Sequence, residues 1–497
     1  MAAPHDHESA TDDVYPMHLQ DVNFRKVIMA CTMRFDHVLD AEKLHADLAR
    51  LFEIGDWRKL GGRIRHNKER VLEIHVPKQF SAQRPPLTFS CVDLSSTPIA
   101  KHSLASKLPV PTEQTSVQPN PYSLIELGIR KGIPGTIDDM VDRDLPQVSL
   151  HIVRFRDATL VSISWPHCVM GSSGFRILLH AWSLVVQGEE ARVPPLLGAR
   201  EDVLEQLEGR DDVPADERWI PQERRLAGWG LVSFFFRQAW RMVWNPRPEV
   251  RTVFLPKLAL RKLLDACREE TSDGACEDEK GSSWQESMLM AWFIRLSASA
   301  SPPDRPVTIV NFLSAGQCLA SMFDQAGAYV QNMVGYSFSF LSDPVARGGL
   351  GPLLREHDQS VKQQSTEAQF INFLRTYRRA TRNGGTFRLF YGPPDAHIIA
   401  CNSFVEADLM GAVDFGKAAL PDADADIGAS SGTAPDRAPA GTMTTLYYHI
   451  INNRLGVGLD CVYLLGKDHA ENLWVTAALP AKVWDELSNT LEGMART

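Results

Sequence analysis

His167 is the residue whose setting is best suited to catalysis. It follows the apolar run TLVSISW and Pro166, and it precedes the turn GSSG. This pattern places the side chain where a strand passes into the N-terminus of a helix. A neutral imidazole held there can act as a general base toward a bound hydroxyl or amine. A structural histidine at a strand end is the alternative interpretation.

Three neighbours of His167 carry further chemical groups. Cys168 places a thiol next to an imidazole, a pairing found in cysteine hydrolases. Adjacent side chains usually point in different directions, so we expect Cys168 to be a buried small residue. Ser172 and Ser173 can donate hydrogen bonds to an oxyanion, but we expect them to cap the helix that follows.

The sequence predicts a hairpin before His167 and a helix after it. QVSLHIVRF and TLVSISW alternate as strands do, and residues 156–158 join them. A helix that ends near Gly188 is predicted by helical spacing of apolar residues. The residues with this spacing are Phe175, Leu178, Leu179, Trp182, Val185 and Val186.

Composition indicates a globular protein of two or three domains. The chain has 497 residues, of which 44% are apolar and 23% are charged. Its net charge of −9 argues against a general nucleic-acid surface. The eight cysteines form no CxxC pair, so we expect reduced thiols and no metal site. The sequence has neither a secretory pattern nor a membrane-spanning run, and we expect a cytoplasmic monomer.

The most apolar stretch is GWGLVSFFFRQAWRMVW, from Gly228 to Trp244. Arg237 and Arg241 interrupt it, so it does not resemble a membrane span. It suits a helix that lies on a membrane surface. We expect instead a helix packed on the body of the protein.

Several segments together resemble a known enzyme family. The stretch from His167 through GSSGF and its helix resembles the HxxxD signature of the BAHD acyltransferases, and it is most similar to their fungal branch, which includes the trichothecene-type O-acetyltransferases. LMGAVDFGKA resembles the second signature, DFGWG, and its Asp414 lies 247 residues after His167 (414 − 167). Residues 329–332 resemble the YFGN motif, and residues 401–404 resemble the segment before DFGWG. The resemblance covers roughly residues 15–490.

The resemblance implies an α/β fold of two chloramphenicol-acetyltransferase-like mixed-sheet domains with a channel between them. It implies a domain at 14–195 that carries His167 and a domain at 251–497 that carries the DFG segment. We interpret residues 1–13 as a disordered tail and residues 196–250 as a crossover linker.

The activity implied is transfer of an acyl group from a CoA thioester to a hydroxyl or amine of a small natural product, as in secondary metabolite biosynthesis. His167 would be the general base. Acyl-CoA would be a co-substrate, with no tightly bound cofactor and no metal. The residues assigned to the channel are Met33, Cys168, Trp292, Asn332, Ser403 and Phe404, and the large apolar ones among them suggest a lipophilic acceptor.

Three departures from the family pattern concern support of the site. Gly171 stands where HxxxD has its Asp, a residue that anchors the loop through an Arg in the family. We expect Ser172 or Ser173 to replace part of that contact. DFGWG reads Asp414-Phe415-Gly416-Lys417-Ala418, and the segment NFLSAGQCL lacks the usual Arg partner. Asp414 then needs Lys417, another cation or backbone donors.

Three functions fit these observations. The first is a working acyltransferase whose loops are held differently. The second is a BAHD-type scaffold repurposed for a CoA-independent cyclisation, isomerisation or condensation, with His167 moving the proton. The third is a binding protein without catalysis.

Overall fold

The structure is a computed structural model that describes residues 12–119, 125–210, 213–214, 217–244, 248–271, 282–381, 385–421, 438–451 and 459–496. Most of the predicted tail, residues 1–11, lies outside the described residues. Asp12 and Asp13, which the prediction included in that tail, are ordered. Asp12 pairs with Arg84 through two hydrogen bonds of 2.9 and 2.7 Å, and Asp13 begins a strand.

The strands of the described residues are β1 (Asp13–Pro16), β2 (Ile28–Phe35), β3 (Arg63–His66), β4 (Leu72–Val76), β5 (Thr88–Leu94), β6 (Ser116–Gln118), β7 (Ser149–Phe155), β8 (Thr159–Pro166), β9 (Glu249–Leu255), β10 (Val307–Ser314), β11 (Val334–Leu341), β12 (His397–Ser403), β13 (Thr445–Ile450), β14 (Asp460–Lys467) and β15 (Leu473–Leu479).

The α-helices of the described residues are α1 (Leu19–Asn23), α2 (Ala41–Leu51), α3 (Ile125–Gly128), α4 (Ile137–Asp142), α5 (Ser172–Val186), α6 (Val203–Glu208), α7 (Gly228–Trp244), α8 (Lys257–Thr271), α9 (Ser282–Ser299), α10 (Ala315–Cys318), α11 (Asp343–Arg347), α12 (Leu350–Gln364), α13 (Glu367–Thr381) and α14 (Ala481–Arg496).

Two large mixed sheets dominate the fold. The first has the order β13-β2-β8-β7-β5, and the second has the order β11-β10-β12-β14-β15-β9-β6. A small third sheet has the order β1-β4-β3. Both large sheets contain parallel and antiparallel pairs, which confirms the mixed α/β class.

Each large sheet takes one strand from the other half of the chain. β13 pairs with β2 in the first sheet, with Thr445 opposite Arg34. β6 pairs with β9 in the second sheet, with Ser116 opposite Phe254. The two halves are therefore joined by backbone hydrogen bonds as well as by side-chain packing.

β8 is a central strand of the first sheet, and the sequence explains why. All eight of its residues are buried, as expected for an apolar, β-branched run that is covered on both faces. It forms the predicted antiparallel hairpin with β7. Helix α5 follows and buries its apolar stripe in the same core. This core fixes both elements that flank His167.

The predicted linker, 196–250, contains two helices among its described residues, α6 and α7. β9 begins at Glu249, one residue before the predicted end of the linker. The division of the chain into domains at residues 195 and 250 stays a prediction, because strands cross between the sheets.

Candidate active site

His167 lies where the sequence predicts it, between the end of β8 at Pro166 and the start of α5 at Ser172. Its backbone N–H donates to the carbonyl of Val27 at 2.8 Å. Its ring stacks on Phe24 with centroids 4.5 Å apart and an interplanar angle of 14°. His167 is thus held in two ways, by a hydrogen bond from its backbone and by a ring packed on the face of its imidazole.

Electrostatics favour the neutral imidazole. Burial lowers the pKa of His167, and its own backbone carbonyl and the Asn332 side chain oppose that shift only in part. Nδ1 is enclosed and has no hydrogen-bond partner among the described residues. A group with this pKa is unprotonated at neutral pH, which is the form that a general base needs.

The loop after His167 is tied to both flanking elements. Trp165 Nε1 donates to the carbonyl of Met170 at 2.9 Å, and the Trp165 ring stacks on Phe175 of α5 with centroids 4.6 Å apart. The backbone N–H of Phe175 donates to the carbonyl of Gly171 at 2.9 Å. The loop is therefore short and anchored at each end.

A buried carboxylate reaches His167 through Asn332. Asp21 Oδ1 accepts from the backbone N–H of Asn332 at 2.7 Å and from its Nδ2 at 2.8 Å. Nδ2 of Asn332 also donates to the carbonyl of His167 at 2.8 Å. The side chains of Asp21 and Asn332 are both nearly fully buried. The chain Asp21–Asn332–His167 fixes the backbone of the histidine.

Asp21 shares its surroundings with a buried cation. Burial raises the pKa of Asp21 to about 7, while the Lys59 charge and the two hydrogen bonds from Asn332 act in the opposite direction. Burial lowers the pKa of Lys59, whose Nζ donates to the carbonyl of Ala199 at 3.0 Å. Two influences therefore favour the ionised form of Asp21 against the effect of burial: the positive charge of Lys59 and the hydrogen bonds from Asn332.

Sequence reasoning missed Asp21, Phe24 and Lys59. α1 supplies Asp21 and is followed at once by Phe24, so one short segment carries two of the contacts. Gln20 fastens α1 to the first residue of β11 by donating to the carbonyl of Val334 at 2.5 Å. Asp21 and Asn332 are 311 positions apart, and no local pattern links them.

Asn332 occupies the space beside Gly171. A Cβ at position 171 would lie 3.0 Å from Asn332 Oδ1 and 3.9 Å from His167 Cε1. A Cβ at Gly174, in the first turn of α5, would lie 2.4 Å from the carbonyl oxygen of Val330. The start of α5 therefore packs backbone to backbone against the segment that carries Asn332.

The expected capping by Ser172 or Ser173 is wrong. α5 begins at Ser172, its N-cap is Gly171, and no side chain caps it. The serines occupy the first helical turn instead of the N-cap position, because the helix begins at Ser172. Helix α2, in contrast, has a side-chain cap: Asp40 Oδ1 accepts from the backbone N–H groups of Glu42 and Lys43.

Cys168 lies in the core of the first sheet and is almost inaccessible. Burial raises its pKa, and the negative charge of Asp21 adds to that shift. The thiol is therefore protonated at neutral pH, whereas the nucleophile of a cysteine enzyme is a thiolate. This agrees with the expectation of a buried small residue.

The DFG segment supports α5 at the end far from His167. Ser183 Oγ accepts from the backbone N–H of Asp414 at 3.0 Å, and Gln187 Nε2 donates to the Asp414 carbonyl at 3.1 Å. From Ser172 to Ser183 the helix rises about 16 Å at 1.5 Å per residue. The loop with His167 and the DFG segment thus contact opposite ends of α5.

The Asp414 carboxylate takes a backbone donor instead of a cation among the described residues. Its Oδ1 accepts from the backbone N–H of Gly416 at 2.9 Å. Lys417 Nζ donates to the carbonyl of Gln187, and Asp414 forms no ion pair among the described residues. Of the substitutes considered for the missing Arg, the backbone donor is the one present. Phe415 is fully buried between Trp182, at 4.5 Å between centroids, and Phe35, at 5.4 Å.

The other residues assigned to the channel are dispersed. Met33 is buried in β2, within the core that contains Cys168. Phe404 belongs to the same core and stacks with Tyr463 at 6.3 Å. Trp292 lies in the separate core of the second sheet.

Ser403 Oγ donates to Glu286. Among the assigned channel residues in the described part of the chain, Asn332 donates a side-chain hydrogen bond to His167, to the backbone carbonyl of the histidine.

Known proteins resemble this chain over its whole length. No family model matches the chain. It is 30% identical to the O-acetyltransferase PaAT-2 of Phomopsis amygdali, covering 97% of this chain and 98% of that protein. It is also 30% identical to the acetyltransferase BOT5 of Botryotinia fuckeliana, covering 99% and 92%.

Solved structures share the fold at low identity. F. graminearum TRI101 in complex with coenzyme A and T-2 mycotoxin aligns with a TM-score of 0.64 at 10% identity, over 96% of this chain and 97% of that one. Vinorine synthase aligns with a TM-score of 0.57 at 11% identity, over 98% and 93%. The two-domain, chloramphenicol-acetyltransferase-like architecture is confirmed.

The fold and the full-length relatives define the class of protein: the chain is an acyltransferase. It belongs to the family of the fungal acetyltransferases, within the BAHD acyltransferases.

Proposed function

We propose that this enzyme transfers an acyl group from a CoA thioester to a hydroxyl or amine of a small natural-product acceptor, with His167 as the general base. The observation that carries the proposal is the setting of His167. Its ring is kept neutral by burial, stacked on Phe24, and fixed through its carbonyl by Asn332. F. graminearum TRI101, which has this fold, was solved with coenzyme A, and that supports CoA as the carrier.

Nε2 is the nitrogen that we assign to the proton transfer, because Nδ1 is enclosed. Nε2 accepts the proton of the acceptor O–H or N–H as the oxygen or nitrogen attacks the thioester carbonyl. The tetrahedral intermediate then collapses, the carbon–sulfur bond breaks, and the imidazolium returns the proton to the CoA thiolate. The products are the ester or amide and free CoA, and the histidine ends in its starting form.

We propose that Asp21 and Asn332 are positioning residues for this step. In the family pattern, the Asp of HxxxD anchors the loop, and this chain has Gly171 there. Here the anchor is a carboxylate from α1 that acts through Asn332 on the carbonyl of His167. This arrangement supports a working site without the usual Asp. The full-length acetyltransferase relatives favour acyl transfer over a CoA-independent reaction on the same scaffold.

We propose that substrates meet at His167 between the two halves, with Ser172 and Ser173 at the adjacent start of α5. The hydroxyls there are close enough in sequence to His167 to be candidates for oxyanion contact. Replacing each serine by alanine tests that role separately from the role of the base.

The test of the proposal is His167→Ala with His167→Gln as a second variant. Acetyl-CoA is incubated with a panel of lipophilic alcohols and amines, and CoA release and product mass are measured. A general base contributes about 10²–10⁴-fold, so both variants should lose that factor while their thermal unfolding stays cooperative. Retained turnover in a folded His167→Ala protein would remove His167 from the mechanism.

A further inference from the structure

Helix α7 carries an apolar stripe that faces solvent. The side chains of the stripe are between 56% and 86% exposed. At about 3.6 residues per turn, they span an arc of about 80°. The residues of this outer stripe are Trp229, Val232, Phe236, Trp240 and Val243.

The opposite side of α7 is packed on the protein. Phe234 and Gln238 are buried. Phe234 and Phe235 contact Phe390, with centroids 5.3 and 5.1 Å apart. The approach to the helix is fixed by the backbone N–H of Leu226, which donates to the carbonyl of Phe390 at 2.9 Å. The outer stripe is therefore presented by an anchored helix.

The charge around the stripe is positive in an acidic protein. From Gly228 to Trp244 the sequence of α7 holds two arginines and no acidic residue, a net charge of +2, whereas the whole chain carries −9. Arg237 lies on α7 itself and is exposed, and the helix contains no acidic residue. Arg225 and Arg388 line a cavity of about 720 Å³ beside the segment on which α7 packs.

We infer that α7 docks the enzyme on a membrane surface with anionic lipid headgroups, lying in the plane of the interface. Interfacial helices typically carry tryptophan and phenylalanine on one side and basic residues elsewhere. Helix α7 has this pattern, and arginine is its only charged residue type. No helix among the described residues is long and apolar enough to cross a bilayer. Charge also favours lipid over a second copy of this chain, because a symmetric contact through α7 would bring two positive segments together.

The inference goes beyond acyl transfer and is tested apart from it. Wild-type protein is floated with vesicles of phosphatidylcholine and with vesicles of an equimolar mixture of phosphatidylcholine and phosphatidylserine. We expect binding to the mixed vesicles and weaker binding to the neutral ones, with the difference reduced by salt.

Three variants locate the contact. Phe236→Ser should weaken binding by about tenfold, the effect of withdrawing one large apolar side chain, and Trp229→Ser should act similarly. Arg237→Gln should weaken binding to the mixed vesicles by about fivefold. Leu258→Ser is the matched control, because Leu258 is 68% exposed on α8, and it should bind as the wild type does.

Two results would overturn the inference. One is that the wild-type protein floats with neither kind of vesicle, or that the Phe236→Ser variant binds the mixed vesicles as strongly as the wild type does. The other is a dimer in lipid-free solution, measured by analytical ultracentrifugation, that Phe236→Ser dissociates, since a second copy would then cover the stripe. Acyl transfer to a water-soluble acceptor should be the same in all these variants, so failure here leaves the proposed function untouched.

Discussion

Asp21 and Asn332 are joined by two hydrogen bonds to one carboxylate oxygen, at 2.7 and 2.8 Å. The same Asn332 amide donates to the carbonyl of the candidate base, His167. Asp21 comes from a short helix near the start of the chain, and Asn332 comes from the loop before β11. The position of the histidine thus depends on a contact between the two halves of the chain.

Asp21→Leu should reduce kcat by about tenfold to a hundredfold, the cost of a small misplacement of a reacting group. The change removes the acceptor that holds Asn332, whereas Asp21→Asn keeps an oxygen in the same place and should retain most of the activity. Steady-state kinetics on both variants measure this. A purely structural role would lower the unfolding temperature of Asp21→Leu without lowering kcat of the folded protein, and that result would contradict the positioning role.

Gly171→Asp should lower activity, although it rebuilds the family's HxxxD pattern. The new Cβ would lie 3.0 Å from Asn332 Oδ1, and the added carboxylate would approach the amide that Asp21 already holds. We expect a fall in kcat with little change in KM for acetyl-CoA, and Gly171→Ala should show a smaller fall. A gain of activity in Gly171→Asp would mean that the Asp21–Asn332 contact does not replace the lost residue.

The pH dependence of kcat/KM should have its acid limb below the ordinary histidine range. Burial lowers the pKa of His167 from its usual value of 6.5, and the neutral ring is the active form. Activity therefore rises with pH and reaches its plateau at a pH where an exposed histidine is still partly protonated. The profile is measured with wild type and with Asp21→Asn as control. Because the pKa of Asp21 is itself about 7, a midpoint above 6.5 that persists in Asp21→Asn would contradict this assignment.

Phe415→Ala should lower the free energy of unfolding by about 3–5 kcal/mol, as is typical of deleting a buried phenylalanine. Phe415 is fully buried against Trp182 and Phe35. Leu420→Ala is a matched control a few residues on, because Leu420 is partly exposed, and it should cost far less. Denaturant unfolding measures both. Equal losses would mean that the DFG segment is not a packing anchor for α5.

Local patterns predicted the elements around the base well. The hairpin of β7 and β8 and the placement of His167 at a strand–helix junction follow from alternation and helical spacing, which depend on near neighbours in sequence. The two-sheet fold came from the resemblance, whose motifs recur in order along the chain. The exchange of β6 and β13 between sheets has no local signal, because strand pairing depends on partners far away in sequence.

The support of the base could not be predicted for the same reason. The sequence shows that Gly171 lacks a carboxylate, but the substitute comes from Asp21, on another element. The expectation that Ser172 or Ser173 would fill this role looked to neighbours in sequence, whereas the space beside Gly171 is filled by Asn332. The sequence predicts α7 as an apolar helix. Which of its sides faces the protein depends on the contact of Phe234 with Phe390, a residue far away in sequence.

Calorimetric titration of the purified protein with acetyl-CoA measures whether the enzyme binds the proposed acyl donor. We expect saturable binding in the micromolar range, unchanged in His167→Ala, because the base acts on the acceptor rather than on the carrier. At about 100 times Kd the ligand should also stabilise the folded protein by roughly 2.7 kcal/mol. Absence of binding at millimolar acetyl-CoA would contradict CoA-dependent acyl transfer and would favour a CoA-independent reaction on the same scaffold.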